Sequence, residues 1–560
     1  MVHPLDAAID RHRQALIAPD APFALGSVTL NGATYPAFLR APPDLPSLFA
    51  FAAGTYGDTT FLVDGGDRLS FAQAYTRAGQ VAAGLIAKHG IAPGDHVALA
   101  ARNGAGWVIA YMGIMMAGGV ACLVNAFWTG PEIARAIRDT DCCLVIADAR
   151  RAQALSGDLP ELPIVLLDLD NQLDAALAPF EDGEEVDKVL PGLGPDAHAT
   201  ILFTSGSTGT CKGAISTHRA KVQAAMSFAS AMAAFAGVLA EEGQQPAPPA
   251  SLLNLPLFHV TAEVALLLTS FVAGRKLVLM PRWNAEEAMR LIAAERVTYF
   301  IGVPLMGDEI VTHPRRGHYD LSSLTDIAAG GAPRPPEHVP RISAGLPTAA
   351  PVLGYGLTET NAVGCNIARA SYVERPASTG LPTSPIVDIA IFGADGTVLP
   401  AGDVGEIGIR SIANISGYCN QPQESAALFT PSGHAMTGDI GYREEAGYLF
   451  IVDRKKDIII RGGENIASVE VEAALYGVAD VVECSVFGVP HERLGEVPVA
   501  SVRLRDGSVL DEAALGSLVA PGLAPFKRPT AIAISDAPLP RLGTEKIDKR
   551  AVREAYLAGG

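Results

Sequence analysis

Apolar residues along this chain fall into two textures that alternate over most of its length. One is the short run of four or five, as at 97–101 (VALAA), 143–147 (CLVIA), 200–203 (TILF) and 276–280 (KLVLM). Such runs are too short for helices and read as strands buried on both faces. The other is the longer stretch rich in Ala, Met and Gly. Residues 107–121 predict a buried helix, and so do residues 224–240, where Ser227 and Ser230 interrupt the apolar sequence and Glu241 and Glu242 end it. Strands alternating with helices predict layered α/β architecture. Near Gly393 the texture changes to short, glycine-punctuated strands, among them 389–392 and 405–410, which suggests a small β-rich subdomain. Beyond residues 454–457 a further tail of strand and helix signals begins. In it Ser468 is a candidate helix N-cap, with Glu470 and Glu472 placed where the helix dipole favours carboxylates. The fold class expected is thus α/β: a large N-terminal region over 1–455 with layered sheets and the β-rich subdomain, then a small, mobile α+β C-terminal domain over 456–560.

A chain of 560 residues exceeds one hydrophobic core, which agrees with this division. The balance of 49% hydrophobic and 18% charged residues is that of a folded protein. A formal charge of −18 argues against a nucleic-acid surface, because neutralising phosphates needs a basic face. Seven scattered cysteines without a C-x-x-C pair suit a reducing compartment better than a disulfide framework. The segment 224–240 is interrupted and mostly Ala, whereas a span takes about 20 strongly apolar residues. With no signal-peptide pattern at the N-terminus, a cytoplasmic protein without an integral membrane segment is expected. Oligomeric state is not legible.

The strongest local signal is Thr204-Ser-Gly-Ser-Thr-Gly-Thr-Cys-Lys-Gly213, directly after a strand-like run. Its glycines permit close backbone approach, its hydroxyls donate hydrogen bonds, and Lys212 adds one positive charge, a combination that can surround phosphate oxygens. It is not a Walker A loop, in which the lysine follows the second glycine. Farther along stand Gly330-Gly-Ala332, Gly354-Tyr-Gly-Leu-Thr-Glu359, Thr437-Gly-Asp439, Asp453-Arg-Lys-Lys-Asp457 and Pro540-Arg-Leu-Gly-Thr-Glu-Lys546.

In this order and spacing the blocks closely resemble the adenylate-forming superfamily of acyl-CoA synthetases, peptide-synthetase adenylation domains and luciferases. The resemblance covers most of the chain, from about Leu69 onward, and implies ATP, Mg²⁺ and coenzyme A as co-substrates. It implies that Thr204, Ser205, Gly206, Ser207, Thr208, Gly209 and Lys212 hold the phosphates, that Gly330, Gly331 and Ala332 help bind the nucleotide, that Tyr355 stacks on the adenine, and that Thr358 meets the α-phosphate. Glu359 would hold Mg²⁺, Asp439 and Arg454 the ribose, and Lys456 would be the hinge of the C-terminal domain. Gly462 and Gly463 would line the pantetheine tunnel in a second domain pose. Lys546 takes the place of the lysine that serves adenylation, and His259, in Asn254-Leu-Pro-Leu-Phe-His259, borders the acid carboxylate.

Three positions depart from the family pattern: Cys211 for proline in the phosphate loop, and Leu542 and Glu545 for threonine and glycine before Lys546. Phe258-His259 stands where amino-acid-activating relatives carry an aspartate, which disfavours an amino acid. Val260, Ala262, residues 301–304 and the loop after Glu359 are expected walls of a roomy pocket for a fatty or bulky ring acid. The implied activity is ATP-dependent formation of an acyl-adenylate followed by transfer to coenzyme A. The alternatives are another acceptor, such as a carrier protein, or a catalytically weak nucleotide-binding relative.

Overall fold

A computed structural model describes all residues except 31, 160, 171–172, 181–191, 205–210, 332–333, 543–545 and 560. Two large sheets dominate. In the seven-stranded sheet, the order is Gly417–Tyr418, Lys212–Thr217, His198–Thr204, Val120–Leu123, His96–Ala100, Leu144–Ala147, Ile164–Leu166. Its first two pairings are antiparallel and the rest parallel. The nine-stranded sheet runs Leu381–Pro382, Cys365–Ala368, Ala350–Tyr355, Asp326–Gly330, Tyr299–Gly302, Ala250–Leu253, Lys276–Leu279, Thr60–Asp64, Asp67–Ser70, with five parallel pairings at its centre. All four strand-like runs of the sequence are strands.

One apolar core joins the two sheets through the helices between them. Val97, Leu99 and Leu123 of the first share it with Leu62, Leu253 and Leu277 of the second. Helix Ala105–Met116 belongs to this core, and every one of its residues is buried. The single helix expected over 107–121 is shorter than that: the chain turns at Gly118 and Gly119 and continues as strand Val120–Leu123. Helix His218–Glu241, in which residues 224–240 lie, is the one helix among the described residues long and apolar enough to cross a membrane; it packs against the core. It also carries Lys221, whose ammonium lies 2.6 Å from Glu263, both side chains wholly buried, while Tyr111 donates to the same carboxylate at 2.8 Å. A buried pair of this kind costs desolvation and fixes geometry more than it stabilises.

The glycine-punctuated region forms a four-stranded antiparallel sheet, Val387–Phe392, Gly405–Ser411, Ala435–Arg443, Leu449–Arg454. After Lys456 come five strands and helices Ser468–Tyr476, Glu512–Val519 and Lys549–Leu557, with a core of their own around Val471, Leu475, Val502 and Leu515. Ser468 is not the N-cap expected from the sequence. Ala467 occupies that position, and the Ser468 amide donates instead to the carboxylate of Asp453, upstream of Lys456. The Ser468 hydroxyl accepts from Lys549 at 2.7 Å, and Lys549 also pairs with Glu472 at 2.9 Å. Glu472 therefore serves a buried side-chain cluster, not the helix dipole.

Candidate active site

Open parallel sheets bind ligands beyond the carboxyl ends of their strands. Here strands Asp326–Gly330 and Ala350–Tyr355 end side by side, with Gly330 opposite Gly354. Tyr355 follows, and its hydroxyl donates to Asp439 Oδ2 at 2.7 Å. Strand pairing sets Asp439 opposite Arg454, whose Nε lies 3.1 Å from Oδ1. Burial pushes the Asp439 carboxyl upward and Arg454 opposes that shift; the Tyr355 phenol is driven well above its ordinary value by burial and by Asp439. The result is a buried carboxylate with one exposed cationic partner and an aromatic face beside it, a donor and acceptor set that fits a nucleoside.

A second constellation surrounds the phosphate loop. Lys212 pairs across the hairpin with Thr204, and the next strand in the sheet brings Tyr418 alongside. Lys212 Nζ sits 5.0 Å from the centre of the Tyr418 ring, and the Tyr418 hydroxyl donates to Glu359 Oε1 at 2.9 Å. Glu359 lies in the single turn Thr358–Thr360, and its backbone carbonyl accepts from Ile415. A hard carboxylate and an ammonium held through one tyrosine suit a Mg²⁺-bound triphosphate. Residues 205–209, assigned to the same loop, lie outside the described residues, as does Ala332. Cys211 is half-buried and its thiol is pushed up by burial.

Lys546 reaches this region from the C-terminal unit. A Cβ built on Gly331 would fall 2.9 Å from Lys546 Nζ and 4.0 Å from His259 Cε1, so lysine, glycine and histidine are in contact distance. Gly331 holds φ +74°, a left-handed conformation that favours glycine. Burial, then Arg454, hold the Lys546 amine down to about 8. Burial, then Lys546, hold His259 down to about 3, so the imidazole is neutral at pH 7. The turn bearing His259 is clamped by Asn103, which donates to Leu255 O at 2.8 Å and accepts from Leu257 N at 2.9 Å. The loop bearing Lys546 is tied at its base by Glu483, which takes Leu539 N at 2.8 Å and Arg541 at 2.7 Å. Of the departures from the family pattern, Leu542 is exposed and Glu545 lies outside the described residues.

Lys456 is exposed in the turn after Arg454. Gly462 and Gly463 form an exposed hairpin tip with φ +61° and +91°, and a Cβ on Gly462 would meet Leu494 at 3.4 Å. The expected pocket walls need correction. Val260 and Ala262 are buried in the core, and Val303 packs on the far side of the sheet, whereas Thr261 and Ile301 face Gly330. Tyr418, Glu483 and Asn103 were not legible from the sequence. Each acts through a partner more than fifty residues away, and only the Gly417-Tyr418 pair, a glycine and an aromatic beside a strand signal, could have drawn notice.

Comparison with known proteins agrees with this geometry. The sequence pattern of AMP-binding enzymes matches residues 49–419, and that of the AMP-binding enzyme C-terminal domain matches 470–546. The chain belongs to the AMP-binding enzyme family. It is 32% identical over 535 residues to the 3-[(3aS,4S,7aS)-7a-methyl-1,5-dioxo-octahydro-1H-inden-4-yl]propanoyl:CoA ligase of Rhodococcus jostii (strain RHA1), covering 92% of this chain and 99% of the relative. To the feruloyl-CoA synthase of an Amycolatopsis species it is 34% identical over 497 residues, covering 88% of this chain and 95% of the relative. ATP-bound MatB from Rhodopseudomonas palustris superposes with a TM-score of 0.79 at 26% identity, over 91% of this chain and 99% of that one. The activity is that of an AMP-forming acid–CoA ligase, with ATP, Mg²⁺ and coenzyme A as co-substrates.

Proposed function

We propose that this ligase activates a bulky ring acid or an extended apolar acid, with Lys546 as the group that brings substrate carboxylate and α-phosphate together. The observation that carries this reading is the placement of the Lys546 ammonium against Gly331 and His259, at the ends of the strands that also bear Tyr355. The relatives from Rhodococcus and Amycolatopsis are named for ring acids, and Phe258-His259 offers no carboxylate to an α-ammonium group.

Anion attacks anion when a carboxylate displaces pyrophosphate from ATP, so positioning and charge neutralisation supply the catalysis. Lys546 screens the approach, Lys212 and Thr204 hold the departing phosphates, and Thr358 donates to the α-phosphate. Asp439 accepts from the ribose hydroxyls with Arg454 beside it, and Tyr355 offers a flat face to the purine. Glu359 would hold Mg²⁺, which supplies further neutralisation when bound. Neutral His259 leaves room for the acid carboxylate without competing for the lysine. For the second half-reaction the unit after Lys456 turns about that residue, withdraws Lys546 and brings Gly462 and Gly463 to the pantetheine arm. The seven free cysteines support a cytoplasmic setting.

Lys546→Ala tests the assignment. Acid-dependent pyrophosphate release is expected to fall by about 10²–10³, while thioester formation from supplied acyl-adenylate changes little. Equal losses in both halves would overturn the role of Lys546.

A further inference from the structure

The nine-stranded sheet is closed on one face and partly accessible on the other near Lys546. Along Ala350–Tyr355, Pro351 and Leu353 are buried while Ala350, Val352 and Gly354 stay partly accessible; in the next strand Cys365 and Ile367 are buried while Asn366 and Ala368 are open. Side chains alternate between faces, and the register sets Ala350 opposite Asp326, Val352 opposite Ala328 and Ala368, and Gly354 opposite Gly330 and Asn366. These partly accessible residues therefore share one face and most of them are small, while Ala328 at its middle is buried against the core.

At the near end of this face a Cβ on Gly330 would meet nothing closer than Ile301 at 3.7 Å and Thr261 at 3.8 Å, and a Cβ on Gly354 nothing within 4 Å. There is space where the acid carboxylate would enter. The far end is polar and plugged. Asp326 lies on the same face four residues before Gly330, and Arg369 Nη2 sits 2.8 Å from its carboxylate. The Arg369 guanidinium also stacks 4.3 Å from the centre of the Phe235 ring on helix His218–Glu241, so it bridges sheet and helix. Tyr299, the register partner of Asp326, completes that end. Four strand rises separate the two ends, about 13 Å.

We propose that Arg369, braced by Asp326 and Phe235, ends the acid groove and selects acids that reach about 13 Å from their carboxyl group and carry a keto or hydroxyl oxygen at the far end. The proposal rests on the reading of the Lys546 cleft as the site of acid activation. Guanidinium has five N–H donors in a planar fork, and the contacts to Asp326 and to Thr325 O both run through Nη2. A distal oxygen can join that fork. A plain hydrocarbon end presses against an ion pair and strips its water without replacing it, which penalises unsubstituted long-chain acids.

The test uses the full-length enzyme with straight-chain acids of increasing length and bicyclic acids matched with and without a distal ketone, scored by acid-dependent pyrophosphate release. The wild type is expected to prefer the keto acid by about tenfold or more in kcat/KM and to show a sharp upper length. Arg369→Met should abolish the keto preference and keep the length limit. Phe235→Ala should raise the length limit, and it carries the test if Arg369→Met fails to fold. KM for ATP should hold in both. Keto preference unchanged in Arg369→Met, or an unchanged length limit in Phe235→Ala, overturns the proposal. Release with some acids but with no keto preference in the wild type overturns the proposal alone, whereas release with none of them overturns the activation reading as well.

Discussion

Binding of Mg·ATP at pH 8 is expected to draw protons from solvent onto Lys546. In the nucleotide-free pose burial and Arg454 depress its amine from the ordinary 10.5 to about 8. At about 1.4 kcal/mol for each tenfold change in proton affinity, and with a discount for partial exposure, the charged form is disfavoured by roughly 2–3 kcal/mol. A triphosphate in the cleft reverses that preference, because several negative charges arrive within a few ångströms of one ammonium. The sign follows from the lowered value. An unliganded lysine of this kind is charged when unfolded and leans neutral when docked, so the docked pose gains stability as pH rises from about 8 toward 10.5 and loses it below. ATP removes the penalty. About half the sites are neutral at pH 8 and about one-tenth at pH 7, so uptake should be about 0.5 proton per chain at pH 8 and about 0.1 at pH 7. Titration calorimetry in two buffers of different ionisation enthalpy measures this directly. His259, at about 3, remains neutral throughout and adds nothing. Lys546→Met should abolish the uptake. Equal uptake in Lys546→Met, or none in the wild type at pH 8, would refute the placement of this lysine beside the triphosphate.

Two further substitutions probe the frame around the site. Tyr418→Phe removes the hydroxyl that holds Glu359 while keeping the ring under Lys212; a hydrogen bond to a carboxylate is worth about 1.5–3 kcal/mol, so adenylation should slow about tenfold or more and need more Mg²⁺ for half-maximal rate. Thioester formation from supplied adenylate should hold, and an unmoved Mg²⁺ midpoint would count against the role. Lys221→Met leaves Glu263 buried without its cation and should cost about 3–5 kcal/mol in denaturant unfolding, with most of it recovered in Lys221→Met/Glu263→Gln; a single-variant cost below about 1 kcal/mol would mean that water reaches the pair.

The layered sheets could be read from the sequence because strands buried on both faces leave unbroken apolar runs, and all four such runs became strands. The candidate nucleotide groups come from local blocks that each keep their own spacing, and the structure brings Tyr355, Asp439 and Arg454 of three such blocks into contact. The helix over 107–121 was read too long because Gly118 and Gly119, which break it, look the same as the tolerated Gly113 within it. The Ser468 cap failed for a different reason: a carboxylate fifteen residues upstream reached the helix amide first, and tertiary contact overrode the local preference. Side-chain direction around His259 is not legible in the sequence: Val260 and Ala262 turn into the core, and Thr261 between them faces Gly330. Arg369 could not be found at all, since its meaning comes from Asp326 and Phe235, each more than forty residues away.

Position 331 gives the cleft an unusual dependence on what is missing. The ammonium of Lys546 lies 2.9 Å from the point where a Cβ at 331 would stand, so the lysine tip meets the bare backbone of that residue. A single added carbon there would both strain a left-handed backbone and push the flexible end of the lysine aside by a few tenths of an ångström. The cleft thus depends at this position on the absence of a side chain, in both backbone shape and room for the lysine tip.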